Sequence, residues 1–127
     1  MAARFEDIPA GLDRTLLHIL EFHKGREQAI GRGALVGQCH QMGFRVHERV
    51  MRQVINELRK KGTPICSTGG EDGGYWLASG WEELTEFLER EVHPRAMDLL
   101  ETEKALKQAA EQRWGRYSPT KQYRLEL

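Results

Sequence analysis

The sequence predicts a mainly α-helical fold with one small β-hairpin, followed by further helices, and three observations carry that expectation. Apolar residues recur at helical spacing over 12–23, 32–42 and 46–61. "PICS" and "YWLA", both strand-like, flank "TGGEDGG", where four glycines in seven residues supply the positive φ that a hairpin needs. A helical pattern then resumes near Gly80 and runs to residue 114. A chain of 127 residues fits one domain with an appended helical segment. With 39% hydrophobic and 30% charged residues it can bury a core without disulfides.

Taken in order, "LDRTLLHILEFH" (12–23) places Leu12, Leu16, Leu17, Ile19, Leu20 and Phe22 at mostly helical spacing, with Asp13 as a plausible N-cap and Gly25 beyond the end. "REQAI" (26–30) reads as a short edge strand. "RGALVGQCHQM" (32–42) reads as a second helix with Leu35, Val36, Cys39 and Met42 on one side, and Gly43 stands where a left-handed cap is usual. In the third helix, 46–61, Met51, Ile55 and Leu58 repeat at four and three residues with Val54 beside them; these face the core. Gly62 and Pro64 end it. Trp81, Leu84, Phe87, Leu88 and Val92 make an apolar stripe on the next helix, and Pro94 interrupts or restarts it. "RAMDLLETEKALKQAAEQRW" (95–114) continues as a long helix. "GRYSPTKQYRLEL" lacks periodicity and reads as a loose tail.

The run "MGFRVHERVMRQVINELRKKGTPICSTGGEDGGYWLA" resembles the corresponding part of winged helix-turn-helix DNA-binding modules. Such modules include the N-terminal domain of the biotin operon repressor and small prophage-type helix-turn-helix proteins. Leu58, Arg59, Gly62, Pro64, Ile65, Gly74 and Tyr75 carry the match, which extends over about residues 12–78. The resemblance implies a winged helix-turn-helix, taken as 1–79; the residues beyond it read as a helical dimerisation or packing segment over 80–114 and a flexible basic tail over 115–127. Two features depart from the pattern. "GFRVH" is longer than the usual tight turn, and the hairpin tip carries Glu71 and Asp72 where Arg or Lys would meet phosphate.

The net charge of zero speaks against a sequence-blind nucleic-acid binder, but the charge is unevenly placed. Residues 43–62 hold six bases and two acids, residues 81–111 nine acids and four bases, and residues 112–127 four bases and one acid. On the basic helix, Arg49, Gln53 and Asn56 are spaced to read base edges, since Arg matches guanine and Gln or Asn matches adenine. Arg45, Arg52, Lys60 and Lys61 suit phosphates. His47 stands at the cap of that helix and either caps it weakly, touches a phosphate or is an uninvolved surface residue. The plain alternative is that all of these are the solvated face of an amphipathic helix. Of Tyr75 and Trp76, adjacent in a strand, one is expected inside and one on the surface.

No other chemistry stands out. Cys39, His40, His47 and Cys66 lack paired metal-ligand spacing, so no metal is expected, and the two cysteines read as small buried hydrophobes. The glycines of the hairpin do not form a phosphate loop, no nucleophile–base set is present, and neither cofactor nor small-molecule ligand nor enzymatic activity is expected. No apolar run is long enough to span a bilayer, and the N-terminus lacks a signal-peptide core, so a cytoplasmic location is expected. The apolar stripe over 81–110 needs cover, either from the chain's own first helix or from a second copy, so a homodimer is expected there. The functional expectation is sequence-specific binding of double-stranded DNA through helix 46–61, in transcriptional regulation or in replication or packaging of a mobile element. The alternative is a winged-helix protein–protein interaction module without DNA.

Overall fold

Leu12, Leu16, Ile19 and Leu20 are all buried on one side of α1 (Leu12–Leu20), as their spacing dictates. The computed structural model describes residues 8–70 and 72–116. Asp13 lies in the first turn of α1, and Gly11, in the left-handed region at φ 90°, takes the N-cap instead. Phe22 falls beyond the end of α1 and is 71% exposed, its ring edge-on to His18, so it is no part of the core. Residues 26–30 do not form one strand: Arg26–Gln28 is a 3₁₀ turn, and only Ile30–Gly31 (β1) joins a sheet.

Two helices follow, α2 (Arg32–Gln41) and α3 (Glu48–Lys60). Both end in the same glycine device. Gly43 (φ 95°) and Gly62 (φ 109°) adopt the left-handed conformation, and the next residue's N–H reaches back to the helix, Phe44 to the Cys39 carbonyl at 2.9 Å and Thr63 to the Leu58 carbonyl at 3.0 Å. Met42 was expected inside, but it is the last residue before this turn and is half exposed. The connection 42–47 is indeed long, and it is fixed by the buried Val46 and by a 3.2 Å contact from His40 Nε2 to the Val46 carbonyl. Val50, Met51, Val54, Ile55 and Leu58 pack α3 against α1 and α2.

The hairpin is β2 (Ile65–Ser67) and β3 (Gly74–Leu77), and β1 adds a third antiparallel strand in the order β1-β3-β2. Register pairs Gly31 with Gly74 and Cys66 with Trp76. Gly74 is required for close approach rather than for its φ: a Cβ there would strike the Ile30 carbonyl. Gly73 is similarly confined by the backbone of Thr68 and Gly69, and only Gly70 among the hairpin glycines has positive φ.

Tyr75 and Trp76 are both buried, contrary to the expectation of one inside and one outside. The reason is that α4 (Trp81–Phe87) covers the second face of the sheet. Tyr75 therefore belongs to the helical core, whereas Trp76 packs with Cys66 and Phe87 in a second small core flanked by Leu84. Trp81, expected on the same stripe as Leu84 and Phe87, is 81% exposed. Glu83 anchors α4 by accepting hydrogen bonds from the Arg26 N–H, the Ser79 N–H and the Ser79 hydroxyl, each at 3.2 Å. Arg26 adds an ion pair to Glu86 at 3.2 Å. Desolvation works to raise the Glu83 pKa, but the bonds from Arg26 and Ser79 outweigh it and hold the carboxyl below its usual range. The indole N–H of Trp76 is buried without a partner at full hydrogen-bond geometry, and it adds a longer attraction to the same carboxylate.

The chain divides into two compact units between Glu89 and Arg90. Beyond α4 a π-helical turn spans Leu88–Val92, and α5 (His93–Trp114) begins with Pro94 in its first turn, where a missing N–H costs nothing. No residue of α5 is buried. Among the described residues no helix is long and apolar enough to cross a membrane. Glu71 and the tail from residue 117 onward lie outside the described residues.

Candidate nucleic-acid interface

Successive residues of an α-helix turn by about 100°, so α3 can be read as a wheel. Val50, Met51, Val54, Ile55 and Leu58 take one half and are buried. The opposite arc, roughly 100° wide by the same rule, carries Arg49, Arg52, Gln53, Asn56 and Lys60. All but the half-buried Gln53 are exposed. Arg49, Arg52, Gln53, Asn56 and Lys60 thus form one continuous stripe whose geometry is set by core packing beneath it.

Both ends of the stripe are basic. Arg45 is exposed in the connection ahead of α3, and Lys61 is exposed at the helix C-cap. His47 is the N-cap residue, in extended conformation, but its side chain makes no capping bond. The first-turn N–H groups of α3 therefore carry no side-chain cap among the described residues, which leaves a partial positive charge at that end. Arg45, Arg49, Arg52, Lys60 and Lys61 form no ion pair among the described residues. The segment's surplus of bases is therefore not neutralised by α3's own acids.

Arg59 behaves differently. Its guanidinium donates to the Ile65 carbonyl at 2.7 Å, to Ser67 Oγ at 3.0 Å and to Asn56 Oδ1 at 3.2 Å, and it lies 5.1 Å from the centre of the Phe87 ring. It ties α3 to β2 and to α4. Asn56 consequently gives its side-chain oxygen to Arg59.

Arg32, at the start of α2, was not foreseen. It donates to the Gly70 carbonyl in the hairpin and forms an ion pair with Glu48 of α3 at 3.7 Å. It joins the hairpin tip to the first turn of α3, so two elements that flank the basic stripe hold a fixed relation. No spacing rule on the sequence exposes such a bridge, because its partners are 16 and 38 residues away. Arg59, Arg52 and Arg32 all act on the Tyr75 phenol. Burial raises its pKa, and the three cations offset that only in part.

At the hairpin tip Asp72 is exposed. Cys39 and Cys66 are free and buried in different cores. Burial raises both thiol pKa values, that of Cys66 to about 11, with Glu83 adding to the rise and Arg59 opposing it. Among the described residues no group of three His, Cys, Asp or Glu side chains is arranged to hold a metal ion.

Comparison with protein-family models, with curated proteins and with solved structures gives no match to this chain. The class of the molecule therefore rests on its own architecture. It is a mainly helical protein with a small three-stranded antiparallel sheet and an exposed basic helix face.

Proposed function

We propose that residues 8–89 act as a winged helix-turn-helix that binds double-stranded DNA sequence-specifically. In this reading α3 enters the major groove and the β2–β3 hairpin is the wing. One observation supports it above the others: Arg49, Arg52, Gln53, Asn56 and Lys60 share the solvent face of α3, directly opposite its buried residues. Arg49 and Gln53 read base edges, with Asn56 offering its amide nitrogen, while Arg45, Arg52, Lys60 and Lys61 hold phosphates. His47 and the uncapped first turn suit a further phosphate. Arg32 fixes the wing against α3 rather than contacting bases. The biological setting is transcriptional control, or replication or packaging in a prophage-like element.

Selection of bound sequences from a random duplex pool tests this. A defined motif is the expected outcome. Arg49→Ala should then change the preferred base at one position at a cost of about 1–3 kcal/mol, whereas Lys60→Ala should weaken all sites alike. Absence of duplex binding at low salt would overturn the proposal. It would favour the second reading, an interaction module for a protein partner, which draws on the acidic Asp72 at the wing tip and the zero net charge.

A further inference from the structure

We propose that α5 pairs antiparallel with α5 of a second copy of this chain. The inference concerns the second unit alone and does not depend on the DNA reading.

Ala96, Leu99, Glu103, Leu106, Ala110 and Arg113 follow one another at three, four, three, four and three residues. That is the seam of a two-stranded coil. Leu99 is 69% and Leu106 65% exposed, although both are core-forming side chains. They share the seam with Ala96 and Ala110, small enough to let a second helix approach closely. A solvated helix has no need of that alternation of large and small residues.

Charge selects the occupant and its direction. Residues 95–103 carry one base and three acids, and residues 104–113 carry three bases and one acid. The helix is therefore net −2 in its first half and +2 in its second. A parallel copy would set like halves against each other, with Glu103 facing Glu103 and Arg113 facing Arg113. An antiparallel copy sets each acidic half on a basic half. In that arrangement Leu99 faces Ala110 of the second copy, and Leu106 faces Glu103. Glu103 already pairs with Lys107 of its own helix at 3.7 Å, and near the two-fold axis it meets Lys107 of the other copy as well. A polar seam position of this kind fixes register and direction. Leu84 and Phe87, also expected in a dimer stripe, pack into the chain's own second core, so the pairing surface begins after the π-helical turn.

The test is the mass of the full chain in solution, combined with distances between identical spin labels on variants that each carry one introduced cysteine. Cys39 and Cys66 are buried and their thiols resist ionisation, so an introduced surface cysteine is labelled selectively. A dimer of twice 14.6 kDa is expected at high micromolar concentration. Labels at Arg95→Cys, Lys104→Cys and Gln112→Cys should lie at about 30, under about 20 and at about 25 Å, from a rise of about 1.5 Å per residue and an interhelix distance of about 8–10 Å. Leu99→Glu with Leu106→Glu should halve the mass while the circular dichroism melting transition of the remaining fold is kept. A monomer at high concentration, equal label distances at all three positions, or a dimer unaffected by the double substitution would overturn the inference. Loss of duplex binding would leave these masses and distances unchanged, so the two proposals fail separately.

Discussion

Arg59 lies on α3, yet its guanidinium serves the fold more than the helix surface. It meets the β2 backbone, Ser67 and the Phe87 ring at once, a combination that needs a planar fork with several donors. Arg59→Ala should destabilise the protein by about 2 kcal/mol in chemical denaturation, from the loss of a charged hydrogen bond and of that donor to the carbonyl of the buried Ile65. Arg59→Lys should recover little of that, since a single ammonium cannot reach both partners and stack. The basic run "LRKK" sets Arg59 and Lys60 on different sides of the helix but gives no sign that Arg59 serves the fold. The distinction comes from where β2 returns. Gly74 carries a similar lesson. Its composition signals a turn, but its actual role is to let β1 lie against β3, and Gly74→Ala should break that pairing and lower the thermal midpoint. Leu12, Leu16, Ile19 and Leu20 on α1 and Met51, Val54, Ile55 and Leu58 on α3 were readable because a 3.6-residue period needs no partner to be seen, whereas the buried Val50 was not singled out. Trp76 was not, because its burial depends on a helix that follows it in sequence.

Among the elements, α4 has the least local support and the clearest test. It is seven residues long, too short to persist by itself, and is held by Phe87 below and Glu83 at its start. Phe87→Ala should cost about 3–5 kcal/mol if the second core cannot collapse, and near-ultraviolet circular dichroism from Trp76 should report the loss. Glu83 makes the docking sensitive to acid. Its folded pKa is lowered, so its contribution is complete above the unfolded glutamate pKa of about 4.3 and disappears as pH falls through the lower folded value. Glu83→Gln should lower stability at neutral pH and flatten the part of the stability curve below about pH 5. Sequence periodicity correctly marked a helix from Trp81 onward. It did not show that the sheet would take Leu84 and Phe87 while leaving Trp81 in water, because Trp81, Leu84 and Phe87 share one stripe and differ only in what lies opposite.

For the whole molecule, zero net charge sets a condition on the proposed DNA binding. A neutral chain gains little from long-range attraction, so affinity must come from local contacts and must be sensitive to salt in a countable way. Four cations are assigned to phosphates: Arg45, Arg52, Lys60 and Lys61, none in an ion pair among the described residues. Each phosphate contact contributes about −0.9 to the slope of log affinity against log salt, so one bound head should give about −3.6. Two heads joined through α5 should give about −7 on a duplex holding two half-sites. The Leu99→Glu, Leu106→Glu variant should return to the single-head value while keeping its base preference. Lys60→Ala should reduce the slope by about 1 per head. Fluorescence anisotropy titrations across a salt series measure all of these. A slope near zero, with binding intact, would mean that the arginines and lysines of α3 do not touch the backbone. The exposed stripe would then face a protein surface instead.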